Sequence, residues 1–290
     1  MRQKKLSIII DEFIGFIKGL EQHLNDKEGY WALRGFIDVA RNIYSISSDT
    51  KLISKALEIM IISSITDFFS RKGVTVILSP EQNFYPDVSL VYDKSKIAID
   101  IKTSYRLPSS PNVISGFTLG AFTGYFRNVS SKKNVVYPYG EYIAHFVLGV
   151  IYTDLFKTKK IKEKFNLEGQ QPWLIPKRTT LDGLDDLTPP IRDIEIIFHE
   201  KWRLASDHPG SGNTKNIGSI KDIDRIKNGE GIFTAFGDKG KEIFKDYWTY
   251  YLTKDMAGKA ELLRPPYKNL REYLEYRGMK ALIKKLEGYK

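Results

Sequence analysis

Apolar residues run almost without interruption along Lys51 to Ser70. Leu52, Ile53, Ala56, Leu57, Ile59, Met60, Ile61, Ile62, Ile65, Phe68 and Phe69 recur at helical spacing and cover most of a circumference. That pattern predicts a long, substantially buried helix. Gly73 ends it, Val74 to Leu78 reads as a strand, and Ser79 to Phe84 is a polar loop. Two strand patterns follow closely, Val88 to Tyr92 and Ile97 to Lys102. In the second, Ile97, Ile99 and Ile101 take one face, and Ala98, Asp100 and Lys102 take the other. Residues 9 to 25 predict an opening helix, and residues 140 to 156 a buried segment rich in aromatic and β-branched residues. Ile191 to Phe198 returns to strand pattern. From Phe244 the tail reads as helical and aromatic, broken at Pro265-Pro266. Helix, strands and helix again predict an α/β fold. Its sheet is mixed, because strands this close in sequence pair as a hairpin. No internal repeat is present.

Composition changes this picture in three ways. At 290 residues, 42% hydrophobic and 28% charged, the chain is long enough for a full core and too apolar for disorder. One domain spanning 1 to 290 is expected, with an amino-terminal part to about 50, a core to about 245 and a helical extension beyond. No apolar run approaches a membrane span and no signal-like segment opens the chain, so the cytoplasm is expected. The absence of cysteine excludes thiolate chemistry and any cysteine zinc site. A formal charge of +10, from 45 Lys and Arg against 35 Asp and Glu, favours a polyanionic partner.

Against that basic background the carboxylates near the strands stand out. Pro86-Asp87 precedes the first strand, and twelve residues separate Asp87 from Asp100-Ile101-Lys102. A hairpin brings Asp87 beside Asp100, with Lys102 projecting from the same face as Asp100. Two carboxylates sharing a cation, with a lysine next door, suit Mg2+-assisted hydrolysis of a phosphodiester. The competing reading is an ion-pair ladder on an edge strand. Glu58 is the only charged residue between Lys55 and Asp67. A buried carboxylate needs a metal or a cation, so it joins the same pocket or pairs with a lysine. Residues 157 to 190 form a surface excursion, with a basic run at Lys157 to Lys164 and an Asp, Thr and Pro-rich stretch. Asp207 to Gly218 holds three glycines and a proline, a turn whose backbone can approach a ligand closely. The four histidines, at 23, 145, 199 and 208, lack metal-ligand spacing and read as core or surface residues. No Gly-Lys-Ser phosphate loop is present.

Longer segments carry a resemblance. They are Asn83-Phe-Tyr-Pro-Asp87, Ile97-Ala-Ile-Asp-Ile-Lys-Thr103, Phe117-Thr-Leu-Gly120, Lys133-Asn-Val-Val-Tyr-Pro138, Tyr142-Ile-Ala-His145, Lys201-Trp202, Gly210-Ser-Gly-Asn-Thr-Lys-Asn-Ile-Gly-Ser219 and Gly229-Glu-Gly-Ile-Phe233. Ser48-Asp-Thr-Lys51 belongs with them. From about residue 43 to 275 the chain resembles the type II restriction endonucleases that recognise GATATC and cut at its centre to leave blunt ends. These belong to the PD-(D/E)xK nucleases.

The resemblance implies a mixed, twisted sheet flanked by helices and a homodimer on palindromic double-stranded DNA. A cognate methyltransferase would belong to the same system without a stable complex. Asp87 and Asp100 would hold Mg2+, with Lys102 the catalytic lysine and Glu58 an accessory carboxylate and metal ligand. Gly210, Ser211, Gly212, Asn213, Thr214, Lys215 and Asn216 would read the major groove, and Gln82 and Asn83 would lie on the minor-groove side. Lys51, Thr118 and Lys133 would meet the DNA backbone. Glu81 stands where the family carries Gln, and Phe84 where it carries His. The Asp87 to Asp100 spacing is three residues shorter than the family's, which trims a turn. Residues 157 to 190 are longer and different, and the carboxy terminus extends roughly ten residues beyond the family pattern. The competing function is a basic, dimeric DNA-binding module without catalysis. It is disfavoured because a pure binder gains nothing from gathering carboxylates near phosphates. A repair nuclease acting on DNA structure is disfavoured by the recognition-loop match.

Overall fold

The computed structural model describes residues 2–157, 177–210 and 215–289. The chain forms two compact units, each assembled from separated stretches. One comprises 1–76, 101–115 and 149–197, the other 77–100, 116–148 and 198–290.

In the first unit, helix α1 (Arg2–Leu24) packs on helix α2 (Thr50–Arg71). Leu6, Ile9, Phe13, Ile17, Leu20 and Leu24 fall three or four apart and are buried, which is the spacing of one helix face. The tilted ring pairs of Phe13 and Phe69, 4.7 Å apart, and of Phe16 and Phe68, 4.8 Å apart, join the two helices. Asp49 starts α2 by accepting from the backbone N–H groups of Lys51 and Leu52, a capping interaction worth about 1 kcal/mol. Gly73, at φ +72, takes the left-handed conformation that ends it.

The helix differs from its sequence pattern in one respect. Burial is confined to the stripe Ile53, Ala56, Leu57, Ile61, Ile65 and Phe69, while Ile59 is 61% exposed. Apolar residues all round α2 hide which face packs, and only one face has partners. A small sheet, in the order β1 (Gly35–Ile37), β2 (Ile43–Ser45), β9 (Arg178–Thr179), completes this unit.

The largest sheet has the order β10 (Ile191–Glu200), β8 (Tyr142–Asp154), β5 (Ser95–Leu107), β4 (Val88–Tyr92), β3 (Thr75–Leu78), with β6 (Ser110–Ile114) added to β5. The segment read as buried around residue 145 is therefore β8, and Ile191 onward is β10. In the second unit a three-stranded sheet runs β11 (Ala205–Pro209), β12 (Asn216–Ser219), β7 (Thr118–Ala121). Its hairpin root is tied to the carboxy-terminal helices. Asp207 accepts from the Leu270 N–H at 2.8 Å, and the Tyr247 hydroxyl donates to the Asp207 carbonyl at 2.6 Å. Tyr247, Trp248, Tyr267 and Tyr273 pack around that tie, all essentially buried. The tail is helical at Gly240–Tyr250, Lys254–Lys259 and Leu270–Tyr276. Among the described residues no helix is long and apolar enough to cross a membrane.

Candidate active site

Strands β4 and β5 form an antiparallel hairpin in the register Val88↔Ile99, Ser89↔Ala98, Leu90↔Ile97, Val91↔Lys96 and Tyr92↔Ser95. Asp87 directly precedes β4 and Asp100 directly follows Ile99 on β5, so both lie at the Val88↔Ile99 end of the ladder. Alternation turns Asp100 away from the buried Ile97 and Ile99. Lys102, two residues along β5, follows Asp100 on the same strand face. Asp100 is 5% exposed, whereas Asp87 and Lys102 are half-buried. The Asp87 carbonyl accepts from the Ser79 N–H at 3.0 Å, which anchors its main chain. The Lys102 ammonium donates to the Ile101 carbonyl at 3.2 Å.

Behind Asp87 the chain is held firmly. Tyr85 donates its N–H to the Asn134 carbonyl and accepts from the Val136 N–H, at 3.0 and 2.9 Å. Its hydroxyl meets His145 Nδ1 at 2.9 Å and receives a hydrogen bond from the Lys201 ammonium at 3.1 Å. Burial raises the Tyr85 hydroxyl well above the ordinary phenol range, and the Tyr139 and Asp100 charges push the same way. Asp100 therefore lies within electrostatic reach of this cluster. Burial, with the Lys201 and Lys241 charges, drops His145 well below the ordinary imidazole range, so its ring is neutral. Tyr85 and Lys201 carry no signal in the hydrophobic pattern. Only the position of Tyr85 immediately before Pro86-Asp87 points to it.

The donor chemistry at Asp87 and Asp100 fits Mg2+. Carboxylate oxygens are hard ligands, and this ion is commonly held by one or two carboxylates with waters and phosphate completing its shell. Among the described residues no three His, Cys, Asp or Glu gather as a metal site. Glu58 instead pairs with Lys55 one turn earlier, Nζ to Oε1 at 2.6 Å, its side chain 27% exposed. On the same helix, Ser54 and Thr103 join hydroxyls at 2.5 Å, docking α2 onto β5 just past Lys102.

The residues expected at DNA fall in several places. Gly210, Lys215 and Asn216 frame the β11–β12 hairpin, closed by the Gly210 N–H donating to the Asn216 carbonyl at 2.9 Å. Ser211, Gly212, Asn213 and Thr214 lie outside the described residues. Thr118 sits on β7 paired with Gly218 of β12, so it adjoins this hairpin. A Cβ on Gly218 would meet the His208 carbonyl at 2.8 Å, so the hairpin requires glycine there. Gln82 and Asn83 are exposed in the turn that leads to Asp87, and Lys133 is exposed on the loop before Val135. Lys51 is exposed at the first turn of α2.

Asp87 and Asp100 at one end of the β4–β5 ladder, with Lys102 two residues further along β5, are the groups this region can offer a phosphodiester. Residues 27–278 match the family described as Restriction endonuclease EcoRV. The Type II restriction enzyme EcoRV of Escherichia coli is 33% identical over 266 residues, covering 89% of this chain and 96% of that protein. The chain belongs to the EcoRV family of restriction endonucleases, and its α/β fold of sheets flanked by helices is that of the PD-(D/E)xK core. The match begins at 27, earlier than the 43 at which motifs become recognisable by eye.

Proposed function

We propose that this protein is a Mg2+-dependent type II restriction endonuclease that cuts both strands of GATATC at its centre and leaves blunt, 5′-phosphate ends. The placement of Asp87 and Asp100 at the same end of the β4–β5 ladder, with Lys102 two residues along β5, carries the reading. Asp87 and Asp100 would hold the cation. When bound there, Mg2+ supplies Lewis acidity at the phosphate and lowers the pKa of the attacking water. Lys102 offers a positive charge to the phosphoryl oxygens as negative charge develops on them. The 3′-oxygen leaves. Glu58 acts as an accessory carboxylate and exchanges its Lys55 partner for that role, so its loss is milder.

Incubation of the purified protein with a plasmid of known sequence, with and without Mg2+, tests the reading. Discrete fragments only with Mg2+ are expected. A shifted but intact plasmid would support the silent binding module instead, and damage restricted to unusual DNA structures would support a repair nuclease. The cytoplasm and a separate methyltransferase of the same specificity complete the proposal.

Cutting both strands of a palindrome calls for a two-fold dimer. The amino-terminal hairpin offers apolar surface for one. Phe36 and Tyr44 pair across β1 and β2 and are 43% and 39% exposed, while Ile37 and Val39 beside them are more exposed still. Sedimentation is expected to give twice the 33.4 kDa chain mass. A 33.4 kDa species that cuts both strands in one encounter would refute the dimer.

A further inference from the structure

Lys201 follows β10 and is 1% exposed. Burying an ammonium is costly unless its surroundings replace the lost water. Here three tyrosines do so. The Lys201 Nζ lies 4.3 Å from the ring centre of Tyr85 and 5.5 Å from those of Tyr125 and Tyr139, all within cation–π range. It also donates to the Tyr85 hydroxyl at 3.1 Å. With that oxygen accepting from Lys201, its own proton is available to His145 Nδ1, 2.9 Å away. Tyr139 stacks on His145 at 3.8 Å and 11° and closes the cluster. Gly120, at φ +90, makes room for it, because a Cβ there would meet the Tyr125 ring at 2.8 Å.

The cluster leads to the carboxylate pair through the main chain. Tyr85 is bonded through both its N–H and its carbonyl to the Asn134–Val136 segment, Pro86 follows with its fixed φ, and Asp87 comes next. Rotation of the Tyr85 ring away from Lys201 would leave the segment that carries Asp87 held by its main-chain bonds alone. Nothing in the reaction described above uses Lys201, yet the protein meets the cost of burying it directly behind that segment. We propose that Lys201 is a positioning residue. By holding the Tyr85 hydroxyl it fixes Tyr85-Pro86-Asp87, and with it the spacing at which Asp87 and Asp100 take a divalent cation. The inference rests on the reading of the site under Proposed function.

Mn2+ binding to the DNA-free protein, followed by the electron paramagnetic resonance of the free ion, tests it beside the thermal midpoint. Lys201→Met and Tyr85→Phe are each expected to weaken Mn2+ binding about 10- to 100-fold, the usual loss when a group orienting a metal ligand is removed. The double variant should lose no more than the weaker single variant, because both break one hydrogen bond. Lys201→Gln keeps a donor for the Tyr85 hydroxyl and should recover most of the affinity. A purely structural lysine would lower the midpoint and leave Mn2+ binding unchanged. Wild-type affinity in Lys201→Met, or losses that multiply in the double variant, would overturn the inference. If Lys201→Met does not fold, Tyr85→Phe decides alone, and wild-type affinity in it overturns the inference. Asp87→Asn separates the two levels. If it binds Mn2+ like the wild type, or the wild type binds none, the reading of the site itself fails. If it loses binding while Lys201→Met keeps it, only the role of Lys201 fails.

Discussion

Replacing Asp100 by alanine is expected to give a protein that folds, binds DNA and does not cut it. Asp100 is buried at 5% exposure at the end of the β4–β5 ladder, and Asp87 alone would hold the cation less well. Loss of Asp100 would release the cation whose charge stabilises the phosphodiester as it breaks. A single electrostatic contribution of that kind is worth about a hundred- to a thousandfold in rate, and loss of a cation ligand should cost at least as much. DNA binding should survive or improve, since a carboxylate near phosphate repels it. Asp87→Ala is expected to match it. Lys102→Ala should be severely slowed, and Lys102→Arg should not rescue it, because a planar fork does not replace a compact ammonium. The measurement is single-turnover cleavage in Mg2+ with DNA retention followed in parallel. Wild-type cleavage by either alanine variant removes these residues from the reaction.

The hairpin and its chemical face are legible in the sequence because a strand has an unambiguous period. Once Ile97, Ile99 and Ile101 are taken as the inner row, Asp100 and Lys102 must share the other. The short turn then leaves Asp87 only one place to pair. Helix α2 is legible in length and not in orientation. Eleven apolar positions spread round its axis leave no moment to choose a face, and Ile59 ends exposed although its neighbours Leu57 and Ile61 are buried. Glu58 is ambiguous for the same reason. A carboxylate in an apolar stretch asks for a partner, and Lys55, three residues back, is one that the helical repeat supplies. The burial of Lys201 is not legible, although Lys201-Trp202 is among the matching segments. Its partner Tyr85 is 116 residues away, and a lysine at the end of a strand looks like any solvated charge until the tyrosines around it are placed. The hairpin at 207 to 218 is announced by its glycines, whereas its anchoring by Leu270 and Tyr247 depends on a tail whose packing no local pattern encodes.

That anchoring bears on the remaining prediction, which is selectivity for GATATC. The root of the β11–β12 hairpin is fixed by the Gly210–Asn216 closure, by the tight approach of Gly218 to His208, and by the Asp207 bonds to the carboxy-terminal helices. A rigid root is the support that readout of base edges requires. Asn213 has the side chain that pairs with adenine N6 and N7, and losing one such bidentate contact costs roughly 1–3 kcal/mol of discrimination, about 5- to 150-fold. The central TA step adds a second filter. It unstacks easily, so a site with another centre is rejected through the energy of bending it rather than through contacts. Glu81 and Phe84 replace a donor-bearing Gln and a His, and a carboxylate cannot donate to the acceptors of the minor groove. Selectivity is therefore expected to rest on the hairpin. Two duplexes identical except for GATATC and GAATTC provide the measurement, digested by the parent protein and by Asn213→Ala. The parent should cut the first alone, and the variant should lose most of that preference. Efficient cutting of both duplexes by the parent, or unchanged preference in Asn213→Ala, would show that this hairpin does not read the site.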